Sequence, residues 1–263
     1  MLSPRTPWQV TRAVWHALFL REVLARTTMD RMAWFWMLLE PIAFIVIMVS
    51  IRTVVFGRSK HIVGAEFVPW LVLGLFGFFL VRESMMRPIG AVDANRALYA
   101  YRQVKPVDPV IIRCYLEGMI RTFIFILFIM IGILLGIDLF PDEPLRALFY
   151  WSSLWLLGVG AGLVLSALSG LVPEVGRIVK IISMPLLLIS GVIIPLNFLP
   201  HTLLEYLMWN PIVHGLEALR GSFFYEYKKV AGVSVLYLWN WILILIATGL
   251  LLHIRFEARL KRK

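Results

Sequence analysis

Residues 115–137 read YLEGMIRTFIFILFIMIGILLGI, an apolar run whose only charges, Glu117 and Arg121, sit in its first two turns. A helix that crosses a bilayer needs roughly 20 apolar residues, range about 17–25. Hydrocarbon offers no hydrogen bonds, so such a run must satisfy its own backbone as an α-helix. Five further blocks have the same character: Trp34–Phe56, Phe67–Val81, Ala147–Leu168, Ile178–Ile194 and Leu236–His253. The second and fifth of the six are short and need flanking residues to complete them. The expectation is an all-α membrane protein with six transmembrane helices.

Composition agrees. The 263 residues are 60% hydrophobic and 16% charged, where a soluble domain carries roughly a quarter charged. Mean hydropathy is +0.83. Little chain remains for a soluble domain, so the expected organisation is an N-terminal cytoplasmic interfacial helix at 1–33 and a transmembrane domain at 34–263. The net charge of +10 tempts a nucleic-acid reading, but its distribution argues against one. With six spans and both termini on one face, eighteen Lys/Arg fall on that face and six on the other. This is the positive-inside pattern and predicts cytoplasmic termini. Basic segments beside anionic lipid need no nucleic acid to explain them. The first 33 residues are basic and interrupted, without a signal-peptide apolar core and cleavage site. One cysteine, Cys114, leaves no internal disulfide and no multi-cysteine metal site.

Ahead of the first span, Val14, Trp15, Leu18 and Phe19 share one helical face, and Glu22 and Arg26 are spaced for an i,i+4 pair. This predicts a helix lying on the inner leaflet with tryptophan at headgroup depth. The first span opens with Trp34 and Trp36 and carries Glu40–Pro41, read either as an aromatic belt with a proline kink or as a pathway lining. Glu117 and Arg121 are spaced to pair with each other. Residues 91–102 form a short helix-like run between spans, ended by Pro106 and Pro109, that a cytoplasmic partner could engage. Gly158 and Gly162 make a small-xxx-small pair for close helix packing. Tyr150, Trp151 and Trp155 begin the fourth span and are either belt residues or rings on which sugars stack. In Met184–Pro211, proline-bounded apolar pieces too short to span suggest re-entrant helices before the last span. His214, Glu217 and Arg220 then share one side of a short helix.

The chemistry that is missing narrows the function. There is no G-x-x-x-x-G-K-[ST], so the chain has no P-loop for ATP. There is no H-E-x-x-H, G-x-S-x-G or kinase signature. No halves of matching hydropathy suggest an inverted-repeat transporter. A six-span protein without an energy site must borrow energy or act passively.

Several blocks carry a resemblance. They are 18–23 (LFLREV), 36–41 (WMLLEP), 93–98 (DANRAL), 103–108 (QVKPVD), 189–195 (ISGVIIP) and 209–215 (WNPIVHG). Their order over nearly the whole chain resembles type-2 ABC exporter permeases of surface polysaccharides, nearest the capsular polysaccharide export permeases. At 31–36 the chain departs from the tyrosine-containing pattern of that family. The resemblance implies a transmembrane subunit of an ATP-driven exporter that moves lipid-linked capsular polysaccharide across the inner membrane. It implies a homodimer, each copy docked on a cytoplasmic ATPase subunit that binds ATP and Mg; this chain itself would hold no cofactor and no metal. A periplasmic adaptor or co-polymerase and an outer-membrane export protein would take the acidic polymer onward. Asp93, Asn95, Arg96, Tyr99, Arg102 and Glu22 would couple to the ATPase. Arg26, Arg31, Trp34, Trp36, Glu40, Tyr150, Trp151 and Trp155 would line the substrate pathway. Pro195, Trp209, His214 and Glu217 would belong to the re-entrant, periplasmic region.

Alternatives are an O-antigen or teichoic-acid type exporter permease, an assembly scaffold, and a membrane enzyme acting on lipid-linked sugar. The enzyme would need a carboxylate or histidine facing a cavity, for which Glu40, Glu205 and His214 are the candidates.

Overall fold

The computed structural model describes residues 6–29, 32–56, 61–62, 64–137 and 139–262, without the side chains of 27–29, 33, 34, 37, 52, 53, 55, 56, 61 and 62. Apart from a two-residue hairpin, β1 (His61–Ile62) and β2 (Ala65–Glu66), the described elements are helical. They run α1 (Pro7–Met29), α2 (Ala33–Phe56), α3 (Phe67–Met86), α4 (Ala91–Ala94), α5 (Val107–Leu134), α6 (Pro144–Leu171), α7 (Pro173–Ile189), α8 (His201–Leu207), α9 (Pro211–Phe223), α10 (Val235–Arg255) and α11 (Glu257–Arg262).

Among the described residues, four helical stretches are long and apolar enough to cross a membrane: Phe67–Ala94, Val107–Leu134, Pro144–Leu171 and Val235–Arg255. Leu38–Ile51 within α2 is a shorter apolar helix. Helix ends differ from the expected spans chiefly at prolines. α6 and α7 begin at Pro144 and Pro173. α5 begins at Val107, with Pro109 inside its first turn. A first-turn proline has no intrahelical acceptor to lose, and its φ is already helical. Pro106 and Pro109 therefore start α5, after a non-helical stretch from Tyr101 to Pro106 that ends the preceding run as expected.

α3 and α6 form the centre. Along α3, Trp70 to Val81 are buried without interruption. Gly158 and Gly162 let α6 lie against α3: a Cβ at Gly158 would stand 2.8 Å from the Val81 carbonyl oxygen, and one at Gly162 2.6 Å from that of Ser84. Without a hydrophobic drive between helices in lipid, such close approach supplies the dispersion that holds them. The small-xxx-small expectation is met. α10 packs on the other side of α6, and α9 seals one end against α3 and α6.

The two ends of the bundle differ. At one, α1, α4, the start of α5, the end of α6 and α11 share an apolar cluster that includes Val14, Leu18, Val92, Tyr99, Val110 and Leu260. Both terminal helices thus meet at the same end, which also carries most of the arginines and is called the basic end below. At the other end, α9 and the loop after it close over the first turns of α3. α2 touches the rest of the chain chiefly through α3, and its Ile42, Val46, Ile47 and Ile51 are exposed.

The expected 91–102 helix is broken. α4 is a single turn, followed by a 3-10 turn at Arg96–Ala100. The Asn95 side-chain amide donates to the Ala91 carbonyl oxygen at 2.7 Å. Asparagine competes for backbone groups in this way and ends helices. In Met184–Pro211, the first apolar piece belongs to α7, which continues through Pro185 to Ile189. A tight turn with Gly191 at φ +67° follows, then a 3-10 turn at Leu196–Phe198 and α8.

Candidate functional site

A cleft of about 1020 Å³ opens at the basic end, between the first turns of α2, the last turns of α3, the start of α5 and the first half of α7. On α7 the lining residues Pro173, Gly176, Arg177, Lys180 and Ser183 recur at helical spacing, which makes one polar stripe on an otherwise apolar helix. Arg82, Glu83 and Arg87 come from α3 and the 3-10 turn after it, and Arg113 and Arg121 from α5.

Carboxylates are shared among these cations. Glu83 meets Arg82 at 2.8 Å, Arg87 at 3.0 Å and Arg121 at 3.6 Å. Glu117 meets Arg26 at 2.6 Å and Arg87 at 3.6 Å, while Arg121 stands 4.0 Å away. The expected Glu117–Arg121 pair is therefore the loosest contact that Glu117 makes. Its tight partner, Arg26, comes from α1. A second tie between α1 and α5 joins Glu22 to Arg113 at 2.8 Å, with the local Glu22–Arg26 pair at 3.9 Å. A third is the Trp15 indole N–H, which donates to Asp108 Oδ1 at 2.9 Å. Asp108 Oδ2 accepts from the Lys105 amide at 2.8 Å, so this carboxylate also caps the turn into α5.

Of the expected pathway residues, Arg26, Trp36 and Glu40 come together on this cleft. Arg31 and the side chain of Trp34 lie outside the described residues. The α6 aromatics go elsewhere, because α6 is the central helix and its first turns face α5 and α10. Trp151 is buried, stacks on Phe125 with centroids 4.2 Å apart and donates to Thr122 at 2.9 Å. Trp155 donates to the Cys114 carbonyl oxygen at 3.1 Å and covers Gly118. Tyr150 meets Phe149 edge-on. These three rings pack helices in this chain and do not line the cleft. Reasoning from the sequence missed Arg82, Arg87, Arg121, Arg177 and Lys180 as lining. Only the α7 pair carried a local signal, its spacing with Gly176 and Ser183.

The expected coupling residues divide. Asp93, Arg96 and Arg102 are exposed on the basic end, with Arg96 and Asp93 paired at 2.7 Å. Tyr101 beside them is also exposed. Asn95 and Tyr99 face inward, which corrects the expectation that they engage a partner. Tyr99 is 8% exposed and its hydroxyl donates to the Val92 carbonyl oxygen at 3.1 Å. Burial, with Asp93 and Asp108 nearby, pushes its phenol pKa up, so it stays a neutral donor. Glu22 serves the α1–α5 tie instead of a free surface.

At the opposite end a polar network joins α3, the turn after α7 and α9. Glu217 Oε1 accepts from Arg220 at 3.1 Å and from the Tyr227 hydroxyl at 2.9 Å, and Oε2 accepts from the Val230 amide at 3.3 Å. Arg220 donates to the carbonyl oxygens of Gly191 at 2.8 Å and Val192 at 3.2 Å, and its guanidinium lies 3.7 Å from the Trp70 ring centroid. His214 Nδ1 accepts from the Ser234 amide at 3.0 Å, so Nε2 carries the proton donated to the Met208 carbonyl oxygen at 2.8 Å. Burial pushes its pKa down. Trp209 is exposed, but its carbonyl oxygen accepts from the Tyr237 hydroxyl at 2.9 Å. Pro195 sets the start of the 3-10 turn before α8. Glu205 is exposed and meets His201 at 3.3 Å, so Glu40, Glu205 and His214 do not assemble into one site. Among the described residues no group of three or more His, Cys, Asp or Glu is placed to hold a metal ion.

Bilayer-length apolar helices around a charged cleft define a polytopic helical membrane protein. The chain belongs to the ABC-2 type transporter family, whose pattern it matches over residues 14–224. It is similar to the polysialic acid transport protein KpsM of Escherichia coli, with 34% identity over 249 residues that cover 95% of each chain. It shares 25% identity over 215 residues with the capsule polysaccharide export inner-membrane protein CtrC of Neisseria meningitidis, covering 82% of this chain and 80% of that one. With the corresponding protein BexB of Haemophilus influenzae it shares 27% identity over 212 residues, 80% of this chain and 78% of that one.

Proposed function

We propose that this chain is the transmembrane subunit of an ATP-driven exporter that carries lipid-linked capsular polysaccharide across the inner membrane. The observation that carries the reading is the cationic cleft at the basic end, in a chain alignable almost end to end with a polysialic acid transporter. A polyanionic chain is drawn to a mouth of one sign, where low-dielectric walls focus the field. Arg26, Trp36 and Glu40 would stand at that mouth.

The reading includes six crossings with cytoplasmic termini. Both terminal helices meet at the basic end, and α2 and α7 are the two helices added to the four long apolar ones. α8 and α9 would be re-entrant on the periplasmic side. Two copies would face each other across α2 and α7, whose apolar faces are exposed. Asp93, Arg96, Tyr101 and Arg102 would meet a separate ATPase subunit, which binds ATP and Mg. A periplasmic adaptor and an outer-membrane export protein would receive the polymer.

The test is a strain lacking this gene, probed for where capsule polymer accumulates. The expected result is polymer trapped inside with its lipid anchor intact, returned to the surface by the native gene and not by Arg96→Glu. A strain that makes no polymer would move the protein to synthesis or assembly.

A further inference from the structure

A second cavity lies apart from the charged cleft and shares no lining residue with it. It is a groove of about 910 Å³ between α1, the first turns of α5 and the middle of α6, and none of its wall comes from α2 or α7. Phe19, Ile111, Ile112, Trp155 and Val159 make its floor apolar. The polar groups nearest that floor are already used. The Trp15 indole N–H donates to Asp108 and that of Trp155 to the Cys114 carbonyl oxygen, while the Gln9 side-chain oxygen accepts from the Thr6 amide. Arg12 and His16 line the groove from α1, one helical turn apart. Both are exposed and have no ionic or hydrogen-bond partner among the described residues. Among those residues no carboxylate lines the groove. The cavity thus has an apolar floor and one basic edge without a counter-charge.

We propose that this groove holds an anionic phospholipid of the bilayer as a resident ligand, with acyl chain against the floor and phosphate at Arg12 and His16. A buried polar group is costly without a partner, and the floor offers none, so the inner part of the occupant is hydrocarbon. The edge asks for the opposite: the planar guanidinium of Arg12 matches phosphate oxygens, and His16 adds a ring N–H beside it. Trp8 and Tyr115, which line the same groove and are 69% and 49% exposed, are residue types that settle at headgroup depth. An extended peptide would bring unpaired backbone groups to the apolar floor, whereas a lipid reaches this face from the membrane itself. Basic pockets between spans on the cytoplasmic side suit such headgroups. The lipid is part of the membrane and not the exported polymer, so the site needs only that the chain sits in a bilayer. Its consequence is regulatory. Trp15 and Phe19 belong to α1, which is tied to α5 through Glu22–Arg113 and Arg26–Glu117, so the seating of α1 would depend on lipid composition.

The test is native mass spectrometry of the full chain in detergent, equilibrated with equal amounts of cardiolipin and phosphatidylethanolamine. The native chain is expected to retain cardiolipin about fivefold over phosphatidylethanolamine, the effect of one arginine beside an anionic headgroup. The Arg12→Gln/His16→Gln double variant, at exposed positions where folding is not at risk, should lose that preference. Ile111→Trp, which fills the floor, should lower retention of both lipids, with its folding checked by size-exclusion chromatography. The cleft variant Arg177→Gln/Lys180→Gln should behave as the native chain. Equal retention of the two lipids by the native chain, or an unchanged preference in the Arg12→Gln/His16→Gln variant, would overturn the proposal. Loss of the preference in the cleft variant would move the lipid to the charged cleft and overturn it as well. The assay contains neither polymer nor ATPase, so its failure leaves the exporter reading untouched, and failure of the export test leaves this site untouched.

Discussion

Removing the Tyr99 hydroxyl separates two roles that share one position. The ring is buried in the basic-end cluster beside Val14, Leu18, Val92, Val104 and Leu260, and the hydroxyl donates to Val92 across the α4 turn. Tyr99→Phe keeps the ring and leaves one buried carbonyl oxygen unpaired. A neutral buried hydrogen bond contributes about 1 kcal/mol net, and an orphaned buried acceptor raises the loss to about 1–3. Tyr99→Ala removes the ring as well and should cost about 3–5 kcal/mol, the range for deleting a buried aromatic. Denaturant unfolding of the purified full chain in detergent reads both values. If the residue is structural, stimulation of the partner subunit's ATPase should be near native in Tyr99→Phe and fall only with folded protein in Tyr99→Ala. A Tyr99→Phe chain that is as stable as the native one yet no longer stimulates the ATPase would refute the reasoning and return the hydroxyl to the docking surface.

Gly162→Leu would drive its side chain into the Ser84 carbonyl and Pro88, so α3 and α6 must separate. The expected outcome is loss of folded protein in detergent, read by size-exclusion chromatography. His214 has its pKa lowered by burial, so the unfolded state binds more protons than the native one below its ordinary value of 6.5. Stability should therefore be full above about pH 6.5 and fall as pH drops from there toward the lowered native value, and His214→Gln should flatten that slope in pH-dependent unfolding. Arg96→Glu alters an exposed, half-screened pair, so stability should change by less than about 1 kcal/mol while ATPase stimulation falls severalfold.

Four of the six expected transmembrane blocks are helices long and apolar enough to cross a membrane, and they were legible because length and apolarity alone specify a helix in lipid. The small-residue pair at Gly158 and Gly162 was legible for the same local reason. Pro106 and Pro109 read as ending the 91–102 run, and the chain is indeed non-helical from Tyr101 to Pro106; that the same prolines open α5 was not legible, although a proline at the start of a helix loses no hydrogen bond. Asn95 and Tyr99 read as surface residues of one amphipathic helix, but the Asn95 side chain takes the Ala91 carbonyl, the Tyr99 hydroxyl takes that of Val92, and both side chains are buried. The cleft itself could not be read. Arg26 finds Glu117, and Glu22 finds Arg113, some ninety residues along the chain. Such pairings have no periodicity and exist only once α1 lies on α5. The i,i+4 spacings Glu22–Arg26 and Glu117–Arg121 were visible in the sequence, and both turn out to be the longer of the alternatives that these carboxylates choose.

The two polar networks differ in a way that bears on motion. Around Glu217, both carboxylate oxygens and both terminal nitrogens of Arg220 have hydrogen-bond partners, Arg220 Nε lacking one among the described residues, so the turn after α7 is fastened to α9 and to Trp70 on α3. Around Glu117, contacts are ionic without hydrogen-bond geometry, and one carboxylate is contested by three arginines from three elements. A largely satisfied network favours one arrangement, while a contested one can exchange partners at small cost. A ligand or a coupled ATPase should therefore shift α1, the end of α3 and the start of α5 relative to one another, with the Arg220 end as the fixed point. Glu217→Ala leaves Arg220 buried without its counter-ion and should cost about 3–5 kcal/mol. Glu22→Gln removes a partly exposed pair and should cost less than about 1 kcal/mol. Amide hydrogen exchange on the full chain then separates the ends: Glu22→Gln should speed exchange in α1 and the first turns of α5 and leave α9 unchanged. Faster exchange in α9 as well would mean that the two networks respond as one unit, and the assignment of a fixed end and a movable end would be wrong.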